Sequence, residues 1–517
     1  MLTEGPENDR ETMTGKIGFD NERYLKEQTA AILQRVSNSK RRLYLEFGGK
    51  LLHDYHAARV LPGYDPHVKM RLLQQLRDRI DVLLCIYAGD IERRKVRGDF
   101  GITYDSDALK LIDELREWDI PLLGVVITRF EGQPAARVFQ NKLQRRQIPV
   151  FTHSYTKGYP QDIDTVVSEE GYGANEYIRS EKPIVVVTGP GPGSGKLATC
   201  LSQLYYEYQA GLASGYAKFE TFPIWNLPLN HEVNIAYEAA TADLRDINMI
   251  DHFHLEAYNQ KAVNYNRDIE SFPLLRRILE KITHTPLDYR SPTDMGVNRA
   301  SAGIVDDAAV REAASQEIIR RYFRYACEYA MGVADRETVT RLDALLESLR
   351  LKPEDRRVVA PARRKAEAAR EQGKGHDGIY CGAAIELRDG SIITGHNSPR
   401  FHAAASLVLN AVKHLAGIPP HLHLLPPTVT QSLAHLKQDL LGRKVMSLNL
   451  NEALIALSIS ANFNPAAQAA LQMIKELHRC EAHLTHIPTP GDEAGLRALG
   501  INLTSDPQFA GKDLYVG

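Results

Sequence analysis

The stretch Pro183-Ile-Val-Val-Val-Thr-Gly-Pro-Gly-Pro-Gly-Ser-Gly-Lys-Leu-Ala-Thr-Cys200 constrains the fold more than any other part of the chain. An apolar β-branched run, Ile184 to Val187, passes into a loop carrying Gly189, Gly191, Gly193 and Gly195. Lys196 then opens a helix-forming segment. Strand, glycine loop, lysine and helix together hold a phosphate. Glycines let backbone N–H groups turn toward an anion, the helix N-terminus adds partial positive charge, and the lysine neutralises an oxygen. The match to G-x-x-x-x-G-K-[ST] is imperfect. Pro190 stands where the first glycine belongs, and Leu197 replaces the metal-binding hydroxyl, which Ser194 or Thr199 would have to supply. The expected binding set is therefore Gly189, Gly191, Gly193, Ser194, Gly195, Lys196 and Thr199. The alternative is a tight strand-to-helix turn with no ligand.

Around this loop the chain alternates between two periods. Strand-like runs at Arg42–Phe47, Asp81–Tyr87, Leu122–Thr128, Val150–Ser154 and Ile184–Thr188 are separated by amphipathic stretches such as Lys69–Arg79 and Ser106–Trp118. That order predicts a parallel sheet with crossover helices, which binds ligands outside the carboxyl ends of its strands. The loops expected there are Gly48-Gly49-Lys50, Ala88-Gly89-Asp90, Arg129-Phe130-Glu131-Gly132, Tyr155-Thr156-Lys157-Gly158 and the glycine loop, each with Gly and a charged residue. Three residues join them as catalytic candidates. His56 and Arg59 follow the first loop and suit acid–base work or a phosphate clamp. Asp164 follows the fourth strand, where a carboxylate could bring Mg²⁺ to a nucleotide. The alternative for all three is an ordinary helix-cap or surface role.

Size and composition set the outer bounds. The 517 residues are too many for one core, and 43% hydrophobic with 25% charged content is ordinary for a globular protein. A net charge of −2 offers no global attraction to nucleic acid or an anionic membrane. No apolar run is long enough to span a bilayer, and the first ten residues are charged where a signal peptide is apolar. Five scattered cysteines without a C-x-x-C suggest thiols in a reducing cytoplasm. No metal site is expected: Cys480, His483 and His486 lie close in sequence, but the two histidines point to opposite faces of a strand.

The fold expected is α/β and multi-domain. A disordered tail (1–15) precedes a Rossmann-like or P-loop-like domain (16–230), a mainly helical region (231–372) and a C-terminal α/β domain (373–517). Tyr216–Trp225 reads as a further strand, and Asn264-Tyr-Asn-Arg-Asp as a polar string lining a cleft or an interface. In the last domain a hairpin turned at Asp389-Gly390 leads to a helix, Ala403 to Leu415. Helices at Asn451–Asn462 and Asn464–His478 and strands at Ala482–Ile487 and Ile501–Thr504 follow.

The strings Lys16-Ile-Gly-Phe-Asp-Asn-Glu-Arg-Tyr, Leu45-Glu-Phe-Gly-Gly-Lys-Leu, His56-Ala-Ala-Arg-Val-Leu-Pro-Gly, the Gly189 loop, Phe219-Glu-Thr-Phe-Pro-Ile-Trp-Asn-Leu-Pro-Leu and Gly382-Ala-Ala-Ile-Glu-Leu resemble uncharacterised protein family 0371, a bacterial cytoplasmic family with no assigned chemistry. The zinc-protease activity sometimes attached to its members needs His-Glu-x-x-His, and His231-Glu232-Val-Asn-Ile lacks the second histidine. The C-terminal hairpin and helix also resemble the cytidine deaminase fold. There His402-Ala403-Ala404 replaces the His-x-Glu, and no cysteine pair follows.

Two functions stay open. One is an enzyme, of phosphoryl or nucleotidyl transfer, that binds a nucleotide or another small phosphorylated molecule at the glycine loop with Mg²⁺ as a companion. The other is a non-catalytic metabolite-binding or assembly protein with a degenerate deaminase-like domain. A cytoplasmic homo-oligomer without nucleic-acid or membrane partners is expected in either case.

Overall fold

The computed structural model describes residues 17–39, 41–97, 101–442 and 445–511. The tail expected to be disordered (1–15) lies outside them. The chain forms two compact units. The first comprises Ile17–Glu238 with Asp246–Ala314, and the second Ala239–Arg245 with the chain from Ser315 onward.

The first unit is built on a seven-stranded sheet. Its strands are β1 (Leu43–Phe47), β2 (Ile80–Tyr87), β3 (Leu122–Thr128), β4 (Val150–His153), β5 (Ile184–Thr188), β6 (Gly215–Phe219) and β7 (Gly296–Val297). Every pairing is parallel, in the order β7-β6-β1-β5-β2-β3-β4. Helices on the faces of a parallel sheet bury both sides, so its strands read as continuous β-branched runs. Accordingly every residue of β1 and of β5 is buried. One face packs Tyr44, Leu83, Cys85, Val126, Val185 and Val187 against α1 (Lys196–Gln209) and α2 (Asn266–Thr283). At the base of that face Glu207 of α1 is ion-paired with Arg42 and accepts hydrogen bonds from Tyr44 and Tyr177 at 3.1 and 2.8 Å.

The strand order fixes where a ligand would sit. From β2 the chain continues toward β3, whereas from β5 it crosses β1 to reach β6 on the other side. With right-handed crossovers, these diverging connections leave from opposite faces and open a crevice between the carboxyl ends of β2 and β5. The glycine loop leaves β5 at this point.

Two expectations needed adjustment. The strand expected over Tyr216–Trp225 stops at Phe219, ahead of Pro223, which has no N–H for the ladder. Region 231–372 contains the expected helices but also three short strands. Asn248–Ile250 pairs antiparallel with Val263–Tyr265, and β7 extends the main sheet.

In the second unit a four-stranded sheet has the order β9-β8-β10-β11, from β8 (Gly382–Glu386), β9 (Ile392–His396), β10 (Glu481–Leu484) and β11 (Asn502–Ser505). β8 runs antiparallel to both its neighbours, and β10 and β11 are parallel. Its core joins sheet residues such as Ala383, Ile385 and Ala482 to Leu407, Val408 and Val412 of α3 (Ala403–Leu415) and to Leu496 of α4 (Pro490–Ala498). Among the described residues no helix is long and apolar enough to cross a membrane.

Candidate functional site at the carboxyl edge of the parallel sheet

The glycine loop is shaped by the residues beneath it. Gly193 and Gly195 have φ of 73° and 90°, and Gly195 forms the N-cap of α1 without a side-chain cap. A Cβ on Gly195 would fall 2.6 Å from Thr128 Cγ2, so only glycine lets the loop rest on the end of β3. Thr128 Oγ1 donates to the carbonyl of Ser194 at 2.8 Å and holds it down. The amides that open a helix have no acceptor within it; at the start of α1 Thr199 N–H reaches the Gly195 carbonyl at 3.0 Å, while no backbone carbonyl among the described residues takes those of Lys196, Leu197 and Ala198. The uncapped dipole of α1 therefore faces the loop.

Two cations attend this loop. Lys196 Nζ lies 3.4 Å from both the Gly191 carbonyl and Ser194 Oγ. Arg129 donates to the Gly193 carbonyl, and its guanidinium lies 3.4 Å from the centroid of the Tyr87 ring. Three buried polar atoms nearby have no hydrogen-bond partner among the described residues: Thr188 Oγ1 at the end of β5, His153 Nε2 at the end of β4 and Arg129 Nε. Burial lowers His153 to about 4, which keeps its imidazole neutral at physiological pH. The hydroxyls expected to serve a metal are placed otherwise. Ser194 is buried under Gly189, and Thr199 is buried on α1, accepting from the Cys85 thiol at 3.4 Å and lying 3.5 Å from His153 Nδ1.

A second concentration of chemistry lies across β1, at the ends of β6 and β7. Glu46 and Lys218 are register partners on β1 and β6 and so share a face. Tyr216 donates to Glu46 at 2.7 Å. Lys218 is ion-paired with Asp268 on the first turn of α2 and with Glu220 at 2.7 Å. Three carboxylates thus surround one ammonium in a partly buried network. Burial works against the Lys218 charge, but Asp268, Glu220 and Glu46 together outweigh it and hold the lysine above its ordinary range. Burial pushes Glu220 up to about 7, more than Lys218 pulls it back. A small crevice, with room for little more than one water molecule, lies beside Glu220 and is lined also by Trp225, Asn264, Thr293, Gly296 and Asn298. Next to this network Phe222, Tyr237 and Tyr265 stack in sequence, with centroid separations of 5.2 and 5.6 Å.

The other sequence candidates are dispersed. His56 is buried, edge-on to both Phe222 and Tyr237, which places it beside the second cluster. Arg59 is half-buried on the same short helix, Tyr55–Val60. Asp54 caps that helix and pairs with the buried Lys69 at 2.7 Å. Asp164 is not gathered in: its side chain is 84% exposed and pairs with Lys281 at 2.6 Å. In the second unit His483 lies in β10, 2.9 Å from Thr504 Oγ1, while His486 is buried past the strand end with Nδ1 unpartnered among the described residues. Among the described residues no group of three His, Cys, Asp or Glu side chains could hold a metal ion.

The sequence reading placed the Arg129 loop at this edge but did not single out His153, Glu46, Lys218 or Glu220 as candidates. A signal for three of them was available. A charge inside an apolar strand run, as in Leu-Tyr-Leu-Glu46-Phe and Lys218-Phe-Glu220, is unexpected in a sheet buried on both faces.

Comparison with known proteins matches both parts of the chain. Residues 17–350 match the domain of unknown function DUF1846, N-terminal, and residues 354–515 its C-terminal counterpart. The chain is 55% identical over 500 residues to a UPF0371 protein of Clostridium tetani, covering 97% of this chain and 99% of the relative. A UPF0371 protein of Clostridium botulinum is 56% identical over the same coverage.

Proposed function

We propose a function for a chain that belongs to the DUF1846 family: it binds a nucleotide or other phosphorylated metabolite on the glycine loop of a Rossmann-like or P-loop-like domain. The observation that carries this reading is the uncapped start of α1, at the crevice where the connections of β2 and β5 diverge. Oriented amides at a helix N-terminus with two cations beside them form an anion site, and the orphaned Thr188 hydroxyl and His153 nitrogen supply further polar contacts. Lys196 would exchange weak contacts to the loop carbonyl and Ser194 for a phosphate oxygen. Phosphoryl transfer with Mg²⁺ has less support. Leu197 occupies the hydroxyl position, and Ser194 and Thr199 are buried.

A second reading, a non-catalytic ligand-binding protein, draws on the other unit. The order β9-β8-β10-β11 with a leading hairpin supports a deaminase-like architecture. At the helix start where such a domain carries its zinc histidine, His402 Nδ1 instead donates to Asp492 at 2.6 Å. That ion pair supports a domain stabilised without deaminase chemistry.

The test is a thermal-shift series with inorganic pyrophosphate, nucleoside phosphates and sugar phosphates, with and without Mg²⁺. A stabilisation of several degrees that disappears in Lys196→Ala is expected. A melting temperature unmoved by every phosphate compound would refute the proposal.

A further inference from the structure

We propose that the start of α3, in the second unit, is an oxyanion-binding site that takes a carboxylate or phosphate group of a small molecule. Its donors are the backbone amides of Ala403, Ala404 and Ala405 and the imidazoles of His402 and His486. The inference stands on the second unit alone and does not rest on the phosphate reading above.

The backbone supplies the first support. α3 runs for 13 residues from His402, whose side chain makes no capping hydrogen bond. Ser406 N–H reaches the His402 carbonyl at 3.0 Å, while no backbone carbonyl among the described residues takes the amides of Ala403, Ala404 and Ala405. All three alanines are exposed by 1% or less. Amides at an exposed helix start turn to water, but a buried amide without an acceptor costs about as much as a lost hydrogen bond. An oxyanion seated before these amides accepts from them and meets the positive end of the helix dipole.

His486 is a second, independent support. It is 6% exposed, and its Nδ1 is buried without a hydrogen-bond partner among the described residues. Polar atoms so deeply buried are ordinarily hydrogen-bonded. His486 lies two residues past β10, in the segment that leads to α4. Thr489 caps α4, and Asp492 on its first turn accepts from His402 Nδ1 at 2.6 Å. The segment thereby brings His486 toward the start of α3, where Asp492 and His402 act on its imidazole electrostatically.

His402 gives the site its approach from solvent. Asp492 is buried and also accepts from the Leu450 amide at 2.8 Å, so the carboxylate is fixed in place. With Nδ1 committed to it, the ring turns Nε2 away from Asp492, and the side chain is 20% exposed. The charge of Asp492 is met by His402 and the Leu450 amide, and an imidazolium so held presents its second N–H to an anion. Backbone amides donate and do not ligate cations. Among the described residues no group of three His, Cys, Asp or Glu side chains could hold a metal ion, so this donor set selects an anion.

Two measurements on the full chain test the site. Crystals soaked in tungstate, a heavy mimic of phosphate, should show an anomalous peak within hydrogen-bond reach of the Ala403 to Ala405 amides. In solution the imidazole signals of His402 and His486, assigned with His402→Asn and His486→Asn, should shift and saturate with inorganic phosphate or with acetate. The probe that saturates at lower concentration identifies phosphate or carboxylate as the group taken. The shifts should persist in Lys196→Ala. Ala403→Pro removes one donor at the first helical position, which proline tolerates, after a residue whose ψ of 160° suits it. It should weaken the better probe about tenfold, as for a lost hydrogen bond to a charged group. Histidine signals unmoved by both probes in the wild-type protein would overturn this inference, whatever the soak shows, and leave the glycine-loop reading standing. Saturating shifts at His402 and His486, with no phosphate compound stabilising through Lys196, would support it while that reading fails.

Discussion

Gly195 and Gly193 differ in what their backbone conformations cost to replace, although both have positive φ. An alanine at 193 meets nothing within 4 Å of its Cβ, so it pays only the left-handed conformation, about 1 kcal/mol. At 195 the same change also overlaps Thr128, at 2.6 Å, and must move β3 or the start of α1. We expect Gly195→Ala to cost at least about 2 kcal/mol more than Gly193→Ala in urea denaturation. The glycines and Lys196 were legible because a strand-to-loop-to-helix signal is local. Whether the nearby hydroxyls faced the loop was not legible, since the burial of Ser194 and Thr199 depends on β2, β4 and the fold of the loop itself.

At the scale of elements, the starts of helices are tied across the second unit. Asp492 on the first turn of α4 accepts from His402, the N-cap residue of α3, at 2.6 Å. It also accepts from the Thr489 hydroxyl at 2.7 Å and from the amide of Leu450, the first residue of helix Leu450–Ser460, at 2.8 Å. Burial works to raise Asp492, but the His402 hydrogen bond and charge more than reverse it, and the carboxyl is held below its ordinary range. A carboxylate with a lowered folded pKa contributes stability above its unfolded value, near 4, and loses it as the pH falls further. Asp492→Asn should therefore cost about 2 kcal/mol at pH 7, with the difference from wild type shrinking below pH 4 in chemical denaturation curves. Most helices and strands here had been expected from periodicity. The link among three helix starts had not, because His402 and Asp492 lie 90 positions apart.

Over the whole molecule, all five cysteines are free and buried. Burial pushes the thiols of Cys85, Cys327 and Cys381 up to about 12 and that of Cys480 to about 11, with Cys200 also well above the usual range. The thiolate is the reactive form, so the native protein should be inert to a disulfide reagent at pH 8. In denaturant all five thiols should titrate. A cysteine reacting at the rate of a free thiol in the native protein would contradict this burial.

Local chemistry by itself determined the glycine loop, the helix behind it, the runs that became β1 to β5 and the hairpin at Asp389-Gly390, because period, β-branching and turn residues act over a few positions. It also determined that the strand-end loops share one edge, since a parallel sheet leaves no other arrangement. Only the tertiary structure decided which loops are neighbours. The order β7-β6-β1-β5-β2-β3-β4 brings Glu220 to within two strands of the glycine loop and sets it against Lys218, Asp268 and Gly296. The same packing turns Asp164 outward to Lys281. Strand order and side-chain burial are settled by contacts between distant segments, and no local pattern encodes them.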